Sequence, residues 1–124
     1  MAMIKCKSIY RTPEPEDGER VFVDRLWPEG ISTRDAALHR WLQELAPSYE
    51  LWRYSFSVEQ WPEYKERYWQ ELAKKPNLAL LRELLDKSRD ATVTLLYGTR
   101  NDQYNNAVAL KQYVEQLDNR PVHS

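Results

Sequence analysis

One run of this chain alternates in hydropathy, two are continuously apolar, and the stretches between them carry apolar residues at helical spacing. Ile4 to Ile9 alternates with Lys5, Lys7 and Ser8, the period-two pattern of a first strand near a sheet edge. Thr12-Pro-Glu-Pro-Glu-Asp-Gly18 is a Pro-rich acidic loop, and its shortness alone favours an antiparallel partner, because a parallel crossover usually takes a dozen or more residues. Val21-Phe22-Val23 then predicts a second strand from about Arg20 to Leu26 or Trp27, since Pro28 and Gly30 cannot continue a ladder. After that turn, Ser32 or Thr33 is an expected N-cap with Asp35 in the first turn. Leu38, Trp41, Leu42 and Leu45 follow at i, i+3, i+4 and i+7, predicting a helix that ends before Pro47.

Ser48 is placed to cap a short helix carrying Leu51 and Trp52, closed by Ser55-Phe56-Ser57. Trp61, Tyr64, Tyr68 and Leu72 predict an aromatic-faced helix over residues 58 to 74, with Pro62 tolerated in its first turn. Pro76 opens the next helix, whose stripe is Leu78, Leu81, Leu84 and Leu85 and whose end is Arg89-Asp90. Thr92 to Gly98 is a strand apolar enough to be interior to the sheet. Asp102 is the expected N-cap of a last helix with Ala107, Leu110, Val114 and Leu117 on one face. The result is an α/β layered single domain over residues 1–118 with a tail at 119–124.

Composition narrows the function. Eighteen basic residues oppose nineteen acidic ones, so no overall field attracts nucleic acid or anionic membrane. Cys6 is the one cysteine. An internal disulfide or thiolate-rich metal site is ruled out, which suits a reducing cytoplasm. No signal peptide or membrane span is expected from the first residues. His39 and His123 are isolated, no metal-ligand spacing occurs, and three glycines form no phosphate loop. Ser8 and Ser32 lack a nucleophile motif. No metal or cofactor is expected, and nothing here speaks to oligomeric state.

Candidate chemistry concentrates where the second strand stops. Asp24, Arg25 and Trp27 would meet Thr99, Arg100, Asp102, Asn105 and Asn106 if the two strands run parallel and adjacent, because ligands of open α/β sheets bind at strand carboxyl ends. Guanidinium groups and the free N–H groups of the last helix would suit a phosphate or carboxylate. Arg25 would pair the anion, Trp27 would cover it, and the asparagines would orient it. The same residues also suit a structural reading, in which Asp24 and Arg25 are an ion pair and the loop polar groups satisfy backbone. Asp24 is the candidate general base, although a neighbouring arginine is expected to shift it down. Trp41, Trp52, Trp61 and Trp69 could stack on nucleic acid. Glu59, Glu63, Glu66 and Glu71 beside them would repel phosphate, so core packing ranks ahead.

Val23-Asp-Arg-Leu-Trp-Pro-Glu-Gly30, Leu45-Ala-Pro-Ser48, Thr94-Leu-Leu-Tyr97 and Asn105-Asn-Ala107 occur together in order. The chain thereby resembles the Domain of Unknown Function 488 family, in its short YeaO-like branch, from about Ile4 to Leu117. That resemblance implies a wound topology with the first two strands parallel despite the short loop, hence a small, mostly parallel sheet. Glu29 stands where the branch usually has arginine, so an anion contact expected there is missing. Tyr104-Asn105-Asn106 stands where the longer branch has Cys-His-Arg, so chemistry imagined for that triplet does not carry over. The expected function is binding of an anionic, nucleotide-like or phosphorylated small ligand at the strand ends. The alternative is a non-enzymatic regulatory or interaction protein associated with nucleic acid.

Overall fold

The computed structural model describes residues 3–52, 58–99 and 101–119. Four strands, β1 (Ile4–Ser8), β2 (Glu19–Phe22), β3 (Arg40–Trp41) and β4 (Val93–Tyr97), form one sheet in the order β1-β4-β2-β3. Every pairing in it is parallel. β1 lies at an edge and β4 is interior and buried throughout, as their polar and apolar patterns predicted. Four helices accompany the sheet: α1 (Tyr49–Trp52), α2 (Trp61–Leu72), α3 (Lys75–Asp90) and α4 (Asn106–Asn119).

Strand alternation sends side chains to two different layers. Val21, Val23, Val93 and Leu95 face α2, α3 and α4, where they pack with Tyr68, Leu81 and Leu110. Ile9, Phe22 and Leu96 face the other way, under the loops that follow β1 and β2, with Ala36, Trp27 and Trp41 over them. Fully buried side chains such as Phe22, Tyr68 and Leu81 contribute about 1.5–3 kcal/mol each relative to exposure. α2 buries the four residues its spacing named, with Pro62 in the first turn. The Ser48 hydroxyl accepts the Leu51 N–H at 3.3 Å and so caps α1. The expected closure of α1 at Ser55 to Ser57 lies outside the described residues, as does the tail from Arg120 onward.

The helix predicted around Leu38 to Leu45 does not form. Its N-cap works locally, with the Ser32 hydroxyl accepting the Asp35 N–H, but the turn stops at Ala37, which takes φ 49°. The chain is then drawn onto the edge of β2: His39 N–H donates to Arg20 O, Leu42 N–H to Phe22 O, and Arg20 N–H to His39 Nδ1. Leu38 and Trp41 pack on the loop face while Leu42 and Leu45 pack on the helix face. A helical stripe would have needed all four on one side. β2 also ends at Phe22 rather than near Leu26, although Val23 N–H still reaches Leu96 O.

The short β1–β2 connection works in parallel because it crosses β4 and is held down there. Pro15–Asp17 form a 3-10 turn whose Asp17 carbonyl accepts the Thr94 hydroxyl at 2.6 Å. The Asp17 carboxylate accepts from Arg20 Nη1 at 2.6 Å, Lys7 Nζ at 3.0 Å and Glu14 N–H at 3.0 Å. β1 and β2 are thus tied through one buried carboxylate, and β4 is tied to the same residue through its backbone carbonyl. Gly18 completes the turn at φ 63°, where a Cβ would stand 2.0 Å from Thr92 O.

Candidate functional site

Beside β4 the chain leaves the sheet in opposite directions. The loops after β1 and β2 pass to the face of Phe22 and Leu96, whereas the chain after β4 passes to α4 on the other face. Such divergence opens a crevice at the carboxyl ends of neighbouring parallel strands. β4 has one neighbour on each side, so there are two crevices, and they are built differently.

The crevice between β2 and β4 is bridged, among the described residues, by the protein's own groups. Asn106 Nδ2 donates to Val23 O at 2.8 Å, and Asn106 is buried. Asn105 is buried too; its Oδ1 accepts the Val108 N–H at 2.9 Å and its Nδ2 donates to Asn101 O at 2.8 Å. Asn105 is therefore the cap of α4, not Asp102, because the helix begins three residues later than the polar loop suggested. The Asp24 carboxylate accepts the Arg25 N–H at 2.9 Å, and its carbonyl accepts Trp41 Nε1 at 2.7 Å. Pro28 closes over Gly98, 3.6 Å from the point a Cβ there would take.

Asn106 thus reaches the end of β2 beside Asp24, with Asn105 next to it as the cap of α4, while the other residues of the set turn elsewhere. Arg25 Nε donates to Pro47 O at 2.6 Å. The Trp27 indole donates to Ile31 O at 2.7 Å and its ring lies edge-on to Phe22, 5.1 Å between centroids. Arg100 lies outside the described residues. Below this crevice Tyr68 donates its hydroxyl to Leu45 O. Burial raises the Tyr64 and Tyr68 phenols above their ordinary value, and the nearby Asp24 carboxylate adds to both shifts. Both stay neutral at physiological pH.

The crevice between β1 and β4 is open. A cavity of about 420 Å³ lies there, lined by Ser8, Arg11, Tyr97, Thr99 and Asp102, with Tyr10 and Gly98 at its margin. It shares Ser8, Arg11, Tyr97 and Asp102 with a second cavity of about 390 Å³ that runs along β1 past Lys5 and Lys7 to Glu14 and Asp17. Of the sequence-derived set, Thr99 and Asp102 line the open cleft. Neither Arg11 nor Asp102 makes an ion pair or side-chain hydrogen bond among the described residues. Burial raises the Tyr97 phenol, the Asp102 carboxylate and Cys6 raise it further, and Arg11 opposes them. Tyr97 is thus held as a neutral hydroxyl. The Cys6 thiol, pushed up to about 12 chiefly by burial, is no nucleophile at neutral pH. Among the described residues no group of three or more His, Cys, Asp or Glu is placed to hold a metal. Ser8, Tyr10, Arg11 and Tyr97 were missed in sequence. The signal was there in principle, since Ser8 to Arg11 follow β1 as Asp24 and Arg25 follow β2.

With this geometry in place, comparison with known proteins gives a family. A family model described as the inactive DUF488-N3 subclade matches residues 3–121. The chain belongs to the DUF488 family. Its DUF488 relatives include the uncharacterised protein YeaO of Escherichia coli K12, 38% identical over 116 residues, which are 92% of this chain and 98% of that one. The uncharacterised protein Rv3073c of Mycobacterium tuberculosis H37Rv is 37% identical over 111 residues, 88% of this chain and 91% of that one. No solved structure matches the chain significantly. The parallel β1 and β2 implied by the DUF488 resemblance are present. Where the longer DUF488 branch has Cys-His-Arg, this chain uses Asn105 and Asn106 for a helix cap and a strand tether. At the Glu29 departure it is the backbone that makes a contact, accepting the Tyr10 hydroxyl at 2.8 Å.

Proposed function

We propose that this DUF488 domain is a non-catalytic binding module that takes a small anionic ligand in the cleft between β1 and β4. The observation that carries the reading is Arg11, whose guanidinium borders the 420 Å³ cleft with no carboxylate within ion-pairing distance among the described residues. Ser8 and Tyr97 line the same space, and their hydroxyl groups supply neutral donors for an anion's remaining oxygens. A cavity of this size suits a small molecule. Binding without turnover agrees with the description of the matching subclade as inactive. It also agrees with a neighbouring cavity whose one thiol is half-buried and held protonated. Among the described residues no helix is long and apolar enough to cross a membrane. With a single, unpaired cysteine, this favours a place in the cytoplasm.

Asp24, Arg25, Trp27, Asn105 and Asn106 act in this reading as the frame that positions the strand ends. The test is a thermal-shift screen of the wild type, Arg11→Ala and Arg25→Ala against phosphate, carboxylates, sugar phosphates and nucleotides. A ligand that binds the native state raises its melting temperature. The expected result is a stabilising anion whose effect disappears in Arg11→Ala and persists in Arg25→Ala. Loss in Arg25→Ala alone would move the site to the β2–β4 crevice. Absence of any hit would overturn the small-anion reading and favour a macromolecular partner, including nucleic acid.

A further inference from the structure

We infer that the ligand is an acidic amino acid, held with its α-carboxylate on Arg11, its ammonium on Asp102 and its side-chain carboxylate toward Lys5. The inference rests on the anion-binding reading above and adds the ligand's charge pattern to it. Arg11 and Asp102 line both cavities, so they stand at the junction between them. They carry opposite charges, yet they do not pair with each other, being more than the 4.0 Å of an ion pair apart. A simple anion such as phosphate would meet Arg11 but be repelled by Asp102. A ligand with an anionic and a cationic group on one carbon satisfies both.

The remaining charges bordering the second cavity decide the side chain. Lys7 is committed to Glu14 and Asp17, and Asp17 also to Arg20. Lys5 has no ion pair among the described residues. The uncommitted charges are therefore Arg11 (+1), Lys5 (+1) and Asp102 (−1), a sum of +1. Their complement is two carboxylates and one ammonium, a net −1. An acidic amino acid has that set in the smallest compass.

The experiment is titration calorimetry with L-glutamate, glutarate, 4-aminobutyrate, L-glutamine and phosphate on the wild type, Asp102→Asn and Lys5→Met. Glutarate lacks the ammonium, 4-aminobutyrate the α-carboxylate and L-glutamine the side-chain charge. L-glutamate is expected to bind about tenfold or more tighter than each, the worth of one charge-assisted contact. Asp102→Asn should remove its advantage over glutarate, and Lys5→Met its advantage over L-glutamine. Both side chains are exposed, and unliganded melting temperatures equal to the wild type check that the variants fold. If glutarate or phosphate binds as tightly as L-glutamate, the anion site stands and the amino-acid assignment falls. If no anion binds, both fall together.

Discussion

Replacing Asp17 by Asn tests the account of how a ten-residue crossover can be parallel. The Asp17 carboxylate is nearly inaccessible, as is the Arg20 guanidinium it pairs at 2.6 Å, the two side chains being 6% and 2% exposed. Arg20 Nε is already committed to Ala36 O, and its Nη2 has no partner at all among the described residues. Asn keeps an acceptor and the side-chain volume but removes the charge, leaving a buried guanidinium uncompensated and Lys7 with Glu14 alone. Breaking a buried ion pair from one side costs about 3–5 kcal/mol. For a domain of this size that is a fall of roughly 10–20 °C in melting temperature. The control is Glu83→Gln, which breaks an equally short pair with Arg40, but one 28% and 43% exposed; it should cost less than about 1 kcal/mol.

The assay is urea unfolding at neutral pH with the slope m compared between variants. The pH dependence gives a second readout. Burial opposes the Asp17 charge, but the Glu14 N–H, Lys7 and Arg20 outweigh it and hold Asp17 below the ordinary carboxylate value. A depressed pKa contributes stability that is complete above the unfolded value, about 4, and is lost as pH falls through the folded one. The difference between wild type and Asp17→Asn should therefore be flat near neutrality and close in acid. A cost no greater than that of Glu83→Gln, or a difference independent of pH down to acid unfolding, would refute the clamp.

Four further outcomes are expected. Gly18→Ala should destabilise by at least about 2 kcal/mol in the same urea assay, because its Cβ meets Thr92 O at 2.0 Å as well as a positive φ. Gly30→Ala, with φ 83° and open space around the Cβ, should cost only the backbone term of about 1–2 kcal/mol. Cys6 should react with a thiol-specific reagent at pH 8 far more slowly in the native protein than in urea, since partial burial pushes its thiol up and keeps it protonated when folded. Stability should fall in alkali above about pH 10, the unfolded phenol value, because Tyr64 and Tyr68 have raised folded pKa values and Lys7 does too. Raised values contribute stability that is complete below the unfolded pKa and lost above it; circular dichroism against pH would show it.

The elements readable in the sequence are those whose pattern has one physical cause. Trp61, Tyr64, Tyr68 and Leu72 repeat at helical spacing because one face of α2 is buried, and β4 is apolar throughout because it is interior. Leu38, Trp41, Leu42 and Leu45 misled because two causes overlap there. Two of them serve the loop layer and two the helix layer, and their sum mimics a helical stripe. β3 has only two residues, too few for any period to register. The Pro-rich acidic loop gave no sign that Asp17 would be buried, since its partners Lys7 and Arg20 come from separate strands and meet only after folding.

The same limit explains which part of the site could be read. That ligand chemistry gathers at strand carboxyl ends follows from parallel strands alone, and Asn106, with Asn105 next to it, does reach the end of β2 beside Asp24. Which crevice stays open depends on strand order and on what each loop returns to the sheet. The loop after β2 returns Trp27 and Pro28, packed against Phe22 and Gly98, while Asn106 bridges back to Val23. The loop after β1 returns Ile9 to the core but keeps Ser8 and Arg11 at the rim, because its next turn is drawn down onto β4 by Asp17 and Thr94. The turn that lets the crossover run parallel, held to β4 by the Asp17 carbonyl and to Lys7 and Arg20 by its carboxylate, is thus also what leaves the cleft beside β1 unfilled. An Asp17→Asn chain that still folds should accordingly bind anions more weakly through Arg11, although Asp17 lines the neighbouring cavity along β1 and not that cleft.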